Sequence, residues 1–308
     1  LPSRFGRLAM EAVIKAKRSY CDISFMEEDP RDLDEKAKAA GVTCVYDCGV
    51  APGMSNILAA YASAQLDHVD TVKIFVGGLP QERRWPYEYK AGFAPYDVIE
   101  EYTRPARIIV DGEVVIKEAL SEPELIDFPG IGHLEAFNTD GLRSLLDTLD
   151  APQRIEKTLR YPGHIELMRV LRHTGFFDLD PIVVGPENKE IVPRDVTAAL
   201  LFPKWTFEPD EADLTVMRIL ADGDKGGSPH GVRYEVFDAY DPETQRTSMA
   251  RTTGFPAAIV ARMIAEGRID RPGVHPPEAL VDDREVIEDL LAELAERGVV
   301  YERYEESL

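Results

Sequence analysis

The sequence lacks the features that would place it in several common protein classes. No apolar run reaches the ~20 residues that a membrane span needs, and no basic segment followed by an apolar stretch indicates export. The three cysteines, Cys21, Cys44 and Cys48, have no C-x-x-C spacing, so neither a disulfide framework nor a zinc site is predicted. We therefore expect a cytoplasmic protein that has no membrane partner.

Basic residues are also scarce. The chain has 35 lysines and arginines against 56 aspartates and glutamates, which gives a formal net charge of −21. Such a charge repels the phosphodiester backbone, so a nucleic acid is not expected as a partner.

The common catalytic and phosphate-binding motifs are absent as well. The sequence contains no G-x-G-x-x-G, no G-x-x-x-x-G-K-[ST], no H-E-x-x-H and no G-x-S-x-G. The carboxylates do not alternate as in a calcium loop, so no metal site is predicted. Hydrolase functions are correspondingly disfavoured.

What is present near the start is an α/β pattern. An apolar run at 42–46 leads through Gly49, Pro52 and Gly53 into a helix, and this strand, glycine turn and helix is where α/β proteins bind cofactors. The patterns within residues 67–247 then predict several strands, a hairpin whose turn is Asp111-Gly112, and helices at 140–149 and 164–173. The fold class predicted is an α/β Rossmann-type remnant plus an α+β domain with a mainly antiparallel sheet.

The beginning of the chain suggests an incomplete unit. The sequence starts without methionine and moves at once into a helix and a short strand. We expect that a further N-terminal segment, carrying the glycine-rich phosphate loop, belongs to the protein.

Polar residues cluster in predicted turns, where binding groups tend to lie. Arginine's planar fork suits carboxylates, and a histidine can move a proton near neutral pH. The clusters therefore resemble a site for an anionic substrate, although helix capping and surface ion pairs would explain each residue singly. The residues are Arg104; Asn138, Thr139, Asp140 and Arg143; Arg160 and His164; and Arg251, Thr252 and Thr253.

Seven segments in order resemble the saccharopine dehydrogenase family, and most closely its L-lysine 6-dehydrogenase-like branch. The resemblance implies a dinucleotide-binding (Rossmann) domain whose C-terminal part is 1–66, an α+β substrate and dimerisation domain at 67–247, and a C-terminal helical segment at 248–308 that packs back on the Rossmann part. It also implies a homodimer. The segments are VIKAKRSYCDISF, AKAAGVTCVYDCGVAPGMSNILAA, VGGLP, EYTRPARIIVDGE, EAFNTDGLRSL, KTLRYPGH and MARTTGFPAAIVARMI.

Two positions depart from the family pattern. Saccharopine-forming members resemble G-L-D-P-G where this chain has GVAPG, so an acidic position is Ala51 here, and Val76 stands where those members tend to carry cysteine. These departures favour the lysine 6-dehydrogenase-like branch over saccharopine formation.

The resemblance implies an oxidoreductase that uses NAD or NADP and acts on the C–N bond of lysine or a related small amino acid. Two alternatives stay open: a reductive condensation of the saccharopine or carboxyspermidine type, and a non-catalytic dimerising module. The proposed catalytic residues are His164, Asp22 and Asp140. The proposed substrate-binding residues are Arg104, Asn138, Arg143, Arg160, Arg251 and Thr252, and the proposed cofactor-binding residues are Pro2, Ser3, Ser24, Gly49, Pro52, Gly53 and Asn56.

Overall fold

A computed structural model describes residues 3–209 and 211–308. The helices are α1 Gly6–Lys15, α2 Asp34–Ala40, α3 Met54–Ser63, α4 Pro95–Thr103, α5 Leu145–Thr148, α6 His164–Thr174, α7 Pro193–Trp205, α8 Ser248–Ala265 and α9 Arg284–Glu296. The strands are β1 Tyr20–Cys21, β2 Thr43–Val45, β3 His68–Pro80, β4 Ala106–Val110, β5 Glu113–Lys117, β6 Glu124–Phe128, β7 Gly132–Asn138, β8 Gln153–Arg160, β9 Ile182–Val184, β10 Lys189–Ile191, β11 Asp213–Lys225, β12 Ser228–Ala239, β13 Gly273–His275 and β14 Tyr301–Ser307.

A small parallel sheet is formed by β1, β2 and β13, in that order. Helix α2 ends at Gly41, whose φ of 66° is the left-handed conformation that suits glycine after a helix. The chain then turns directly into β2, which is buried along its whole length. This small sheet is the α/β part that the sequence predicts.

A large sheet is built mainly from antiparallel pairs. Its principal order is β14-β12-β11-β3-β8-β4-β5, and the hairpin of β6 and β7 joins it through β8. The pair of β3 and β8 is parallel. This topology, a small parallel sheet beside a mainly antiparallel sheet, confirms the predicted fold class.

Different elements cover the two faces of the large sheet. Helices α3, α8 and α9 pack on one face and form a core with alternate residues of β3, β11 and β12. The hairpin of β6 and β7 contributes to the core on the other face. Helices α4, α6 and α7 form a third core around the buried side chains of Tyr102 and Trp205. In the part of the chain that the structure describes, no helix is both long and apolar enough to cross a bilayer.

The predicted helix at 140–149 is shorter than expected. The helix covers Leu145–Thr148, because Arg143 has a φ of 53° that a regular helix does not allow. The guanidinium of Arg143 donates to Asp47 and to the carbonyl of Met26, which holds this backbone outside the helix. The sequence patterns also gave no prediction of α4, α7, the hairpin of β6 and β7, or β14.

The C-terminal segment contacts both sheets. Strand β13 pairs with β2, and the backbone N–H of Val274 donates to the Asp34 carboxylate at 2.8 Å. Strand β14 instead pairs with β12 in the large sheet. The domain boundaries at residues 66 and 247 stay predictions, and the contacts cross both of them.

We predict that α9 unfolds together with the rest of the molecule. Leu290 is buried in the core that joins α3, α8, α9 and the large sheet, so Leu290→Ala should lower the free energy of unfolding by about 2–5 kcal/mol. Glu288 is an exposed neighbour, and Glu288→Ala is the control. This variant should change the free energy of unfolding by less than about 0.5 kcal/mol. Denaturant unfolding checks this, and a separate transition for the C-terminal segment would contradict it.

Candidate functional site

One cavity of about 640 Å³ lies where the two sheets meet. Its wall includes residues of the loops after β1 and β2, and ligands of α/β proteins bind at such carboxyl ends of parallel strands. The opposite wall comes from β3, β8, α4 and the first turns of α8. The lining residues are Ile23–Phe25, Gly49–Pro52, Val76–Gly78, Gly92–Ala94, Asp97, Glu100, Glu101, Arg104, Thr139–Gly141, Glu156, Thr158, Arg160, Met249, Ala250, Thr253 and Gly254.

The turn after β2 is held by its own backbone. The N–H of Gly49 donates to the Pro52 carbonyl at 3.1 Å, and the N–H of Met54 donates to the Gly49 carbonyl at 2.8 Å. Gly53 has a φ of 138°, and a Cβ there would overlap the backbone of Gly49. The Asn56 side chain accepts from the N–H of Gly53 at 3.2 Å. Gly49 and Pro52 thus line the cavity, whereas Gly53 and Asn56 shape the turn from behind.

The other predicted cofactor residues fall in three places. Ser24 lines the cavity and donates to the Asp22 carboxylate at 2.6 Å. The Ser3 hydroxyl donates to Asp97 at 3.3 Å, beside the cavity wall. Pro2 lies outside the described residues.

Strand β8 presents one polar face to the cavity. Successive side chains of a strand point to opposite faces, so Glu156, Thr158 and Arg160 lie on the same side. The Thr139 hydroxyl donates to a Glu156 carboxylate oxygen at 2.6 Å and shares a hydrogen bond of 2.8 Å with the Thr158 hydroxyl. An acid, a hydroxyl group and a guanidinium therefore follow one another along the cavity wall.

The Glu156 carboxyl group is almost fully buried, with 4% of the residue exposed. Burial raises its pKa to about 8, and the nearby charges of Glu101 and Asp140 act in the same direction, whereas hydrogen bonds from Thr139 and the Gly141 backbone oppose the increase. A Cβ at Gly141 would overlap this carboxyl group, so glycine there makes room for it. No ion pair to Glu156 exists among residues 3–209 and 211–308.

The cavity wall carries more acidic than basic groups. Five carboxyl groups and two guanidinium groups line it. Three of these carboxylates are paired: Asp140 with Arg107 at 2.8 Å, Glu100 with Arg194 at 2.7 Å, and Glu101 with Arg160 at 3.0 Å. The predicted catalytic residue Asp140 thus lines the cavity, but its carboxylate is held in a two-point contact with Arg107.

The Arg160 guanidinium faces the cavity but binds the protein itself. It donates to the Tyr102 hydroxyl at 3.3 Å, to the Leu159 carbonyl at 2.9 Å and to Glu101 at 3.0 Å, and it also lies over the ring of Tyr89. Because these contacts engage its donors, Arg160 orients Glu101 and Tyr102. This placement does not fit the predicted role of Arg160 as the group that grips a substrate carboxylate.

His164 lies behind the cavity wall. Its Nε2 is 2.9 Å from the Tyr102 hydroxyl, its Nδ1 is 2.8 Å from the Tyr87 carbonyl, and only 2% of the residue is exposed. Burial, together with the charge of Arg160, lowers the pKa of His164 to about 3. The imidazole is therefore neutral near pH 7 and is not part of the cavity lining. The predicted proton transfer from His164 to a substrate does not fit this position, and His164 supports Tyr102 instead.

Asp22 and Arg143 hold the loop that follows β1. The Asp22 carboxylate accepts from the hydroxyls of Tyr20 at 2.5 Å and Ser24 at 2.6 Å. Arg143 pairs with Asp47 at 3.0 Å and stacks on the Phe25 ring. Asp22 and Arg143 do not line the cavity, so neither placement fits a direct contact with substrate.

Arg104 is the remaining basic residue of the cavity wall. Its guanidinium lies 5.7 Å from the centre of the Phe25 ring. Within the described ranges it forms no ion pair, in contrast to Arg160. Of the arginines that the sequence analysis selected, Arg104 is the one whose position fits an incoming carboxylate.

Three further predicted substrate residues lie away from the cavity. The Asn138 amide donates to Ser121 and Glu122, each at 3.0 Å. Arg251 pairs with Asp238 at 3.3 Å, and the Thr252 hydroxyl donates to the Ser248 carbonyl within α8. These contacts indicate structural roles, so the placement of the three residues does not fit substrate binding.

Four of the five acids that line the cavity were not predicted from the sequence. They are Asp97, Glu100, Glu101 and Glu156, and Asp140 is the fifth. A signal existed for Glu156, because the strand RIEKTLR places a glutamate, a threonine and an arginine at alternate positions of a buried strand. The described residues hold no group of three or more histidine, cysteine or acidic side chains that could bind a metal ion.

We predict a pH-dependent stability that originates at Glu156. Its pKa in the folded protein, about 8, lies above the ordinary 4.5, so the fold favours the protonated acid. The free energy of unfolding should therefore fall as pH rises from about 5 to about 8, by at most about 1.4 kcal/mol per pH unit. Glu156→Gln should remove this decrease, whereas Glu124→Gln, which lies outside the cavity lining, should retain it. Denaturant unfolding at several pH values checks this, and parallel curves for wild type and Glu156→Gln would contradict it.

Comparison with known proteins places the chain in a family. The model of the saccharopine dehydrogenase C-terminal domain matches residues 49–299. Carboxynorspermidine synthase of Vibrio cholerae is 25% identical over 89% of this chain and 70% of its own length. Saccharopine dehydrogenase (NADP(+), L-glutamate-forming) of Schizosaccharomyces pombe is 22% identical over 97% of this chain and 81% of its own length. Mitochondrial alpha-aminoadipic semialdehyde synthase of Mus musculus is 22% identical over 98% of this chain, which spans only 39% of that protein.

Solved structures show the same fold. The apo saccharopine dehydrogenase (L-Glu forming) of Saccharomyces cerevisiae superimposes with a TM-score of 0.80 at 18% identity, over 100% of this chain and 84% of that one. The homospermidine synthase of Legionella pneumophila, solved in complex with NAD, gives a TM-score of 0.60 at 11% identity, over 98% of this chain and 73% of that one. Because the family model covers most of the chain and the fold agrees, the protein belongs to the saccharopine dehydrogenase family and carries its C-terminal domain.

Proposed function

We propose that this protein is an NAD(P)-dependent oxidoreductase that acts on the C–N bond of lysine or a related amino acid. The observation that carries the proposal is the cavity in which the carboxyl ends of β1 and β2 face the acidic side of β8. One wall suits a dinucleotide and the other suits an amine, so a hydride donor and its acceptor would meet there. The relatives named as dehydrogenases support this class of reaction.

The cavity fits the nicotinamide end of NAD or NADP. Its wall at the strand ends is apolar and includes Ile23, Phe25, Val50 and Pro52, which would contact a flat ring. When bound, the cofactor supplies the hydride acceptor. A relative named for NADP(+) and a fold neighbour solved with NAD support this cofactor class.

The opposite wall accounts for recognition of an amino acid. Arg104 would bind the substrate carboxylate, because its guanidinium has no other ion pair in the described part of the chain. The carboxyl groups of Asp97 and Glu156, which form no ion pair with any described residue, would face a positively charged amine. Oxidation of the carbon that bears this amine would give an imine, which water hydrolyses to an aldehyde, as a lysine 6-dehydrogenase requires.

A second candidate is reductive condensation of an amine with an aldehyde. The excess of carboxyl groups over guanidinium groups in the cavity suits a substrate that is richer in amines than lysine. The relatives named carboxynorspermidine synthase and carboxyaminopropylagmatine dehydrogenase support this candidate.

A substrate screen on the intact protein separates these reactions. One set of assays supplies L-lysine with NAD+ or NADP+, and the other supplies an amine, an aldehyde and the reduced cofactor. Turnover in the first set supports the dehydrogenase, and turnover in the second alone supports the condensation. No turnover in either set would contradict both proposals and favour a non-catalytic dimerising module.

We predict that Arg104→Lys weakens amino-acid binding. Lysine keeps the charge but loses the two-point hydrogen bond, so the KM for the amino acid should rise roughly 10- to 100-fold while the KM for the cofactor is unchanged. Arg83→Lys is the matched control, since Arg83 also lies over an aromatic ring, that of Tyr161, but outside the cavity lining. Equal KM values for Arg104→Lys and wild type would contradict the assignment.

We also infer that the protein forms a homodimer through the edge of the large sheet. Strand β5 is an edge strand, and its side chains Val114 and Ile116 are 56% and 70% exposed. Exposed apolar residues on an unpaired edge favour self-association. Ile116→Lys should therefore shift a dimer towards monomer, and sedimentation at micromolar concentration measures this. A wild-type monomer under those conditions would contradict the inference.

A further inference from the structure

We infer that Glu156 takes the proton from the ammonium nitrogen of the substrate before hydride transfer, an inference that rests on the proposed dehydrogenase function. The geometry that supports it is the position of Glu156 in the cavity wall, on the same face of β8 as Thr158 and Arg160. Its side chain is buried from bulk water yet borders the space in which a substrate would lie. A carboxylate in this position would touch the reacting nitrogen of a bound substrate.

Among residues 3–209 and 211–308, no positively charged side chain forms an ion pair with Glu156. Three segments surround this carboxyl group. Strand β8 contributes Thr158 and Arg160, the segment after β7 contributes Thr139, Asp140 and Gly141, and α4 contributes Glu101. The charges of Asp140 and Glu101 are already paired with Arg107 and Arg160. A substrate ammonium group would supply the missing positive charge.

Two neighbours hold the Glu156 carboxyl group in place. The Thr139 hydroxyl donates to one of its oxygens at 2.6 Å. Gly141 leaves the space that the carboxyl group fills, since a Cβ there would overlap it. The carboxyl group is thereby positioned before any ligand enters, which is what a general base requires.

The ammonium nitrogen gives one proton to the Glu156 carboxylate and becomes a neutral amine. The carbon that bears this amine would then lose its C–H bond as a hydride, with both electrons, to the oxidised nicotinamide cofactor that the cavity would hold, which leaves a C=N bond and the positive charge on the product iminium ion. Burial raises the pKa of Glu156 to about 8, so its carboxylate is basic enough to accept an ammonium proton near neutral pH.

The test is the pH dependence of amino-acid oxidation by the intact protein, with L-lysine or saccharopine as the probe. Because the base acts when deprotonated, the wild-type rate should rise with pH through the pKa of Glu156. Glu156→Gln should lower kcat roughly 10²- to 10⁴-fold and remove that rising limb. Glu124→Gln is the matched control, because Glu124 contacts Lys157 on the opposite face of β8. This variant should retain the wild-type kcat and the rising limb of the pH profile.

A second variant tests the same assignment without removing the acid. Thr139→Val keeps the shape of the side chain but removes the hydroxyl that stabilises the charged carboxylate of Glu156. The pKa of Glu156 should therefore rise, and the rising limb of the pH–rate profile should move to higher pH. Infrared titration of the carboxyl band of wild type and Thr139→Val, without substrate, should show the same shift, and Glu156→Gln should lack that band. A purely structural role of Thr139 would lower the melting temperature and leave the limb and the band unchanged.

The outcomes separate this inference from the function on which it rests. Wild-type protein that oxidises neither probe would contradict the proposed function and the inference together. Wild-type protein that oxidises one probe, while Glu156→Gln keeps its kcat and its pH limb, would overturn the inference alone.

Discussion

The burial of charged side chains on β8 is the constraint on which the site depends. A carboxylate or guanidinium taken from water loses several kcal/mol of hydration, and this loss has to be offset by partners in the protein. Arg160 has such partners in Glu101, Tyr102 and the Leu159 carbonyl. Glu156 has hydroxyl and backbone donors but, within the described part of the chain, no cation, so its charge is compensated only in part. Because of this difference, Glu156 is available to a ligand, whereas Arg160 stabilises the fold.

A chain of hydrogen bonds extends this constraint into the helical layer. His164 contacts the Tyr102 hydroxyl, Tyr102 contacts Arg160, and Arg160 pairs with Glu101 on the cavity wall. Burial also raises the pKa of Tyr102 to about 12, so its hydroxyl stays protonated. Successive contacts therefore connect α6, which carries His164, with Glu101 on the cavity wall.

The opposite wall depends on a second buried pair. Asp47 and Arg143 connect the end of β2 with the segment after β7, and Arg143 also stacks on Phe25. Burial raises the pKa of Asp47 to about 6 against the opposing effect of Arg143. The pair joins the small parallel sheet to the large sheet at the cavity, so the two walls are held at a set separation. The left-handed backbone of Arg143 is the local consequence.

The sequence by itself determined the α/β start, the mainly antiparallel sheet and the glycine turn at 49–53. Each follows from local periodicity or from a motif of adjacent residues, because backbone conformation and turn geometry act over a few positions. The family was predicted from the resemblance of seven segments in order along the chain. Only the tertiary structure decided which polar side chains form the site. His164 and Arg160 were selected as typical catalytic and binding residue types, yet the one is enclosed by aromatic rings and the other is engaged by its neighbours. Glu156 becomes chemically distinct only when β8 lies between β3 and β4, because its pKa is set by burial and by charges more than ten residues away along the chain.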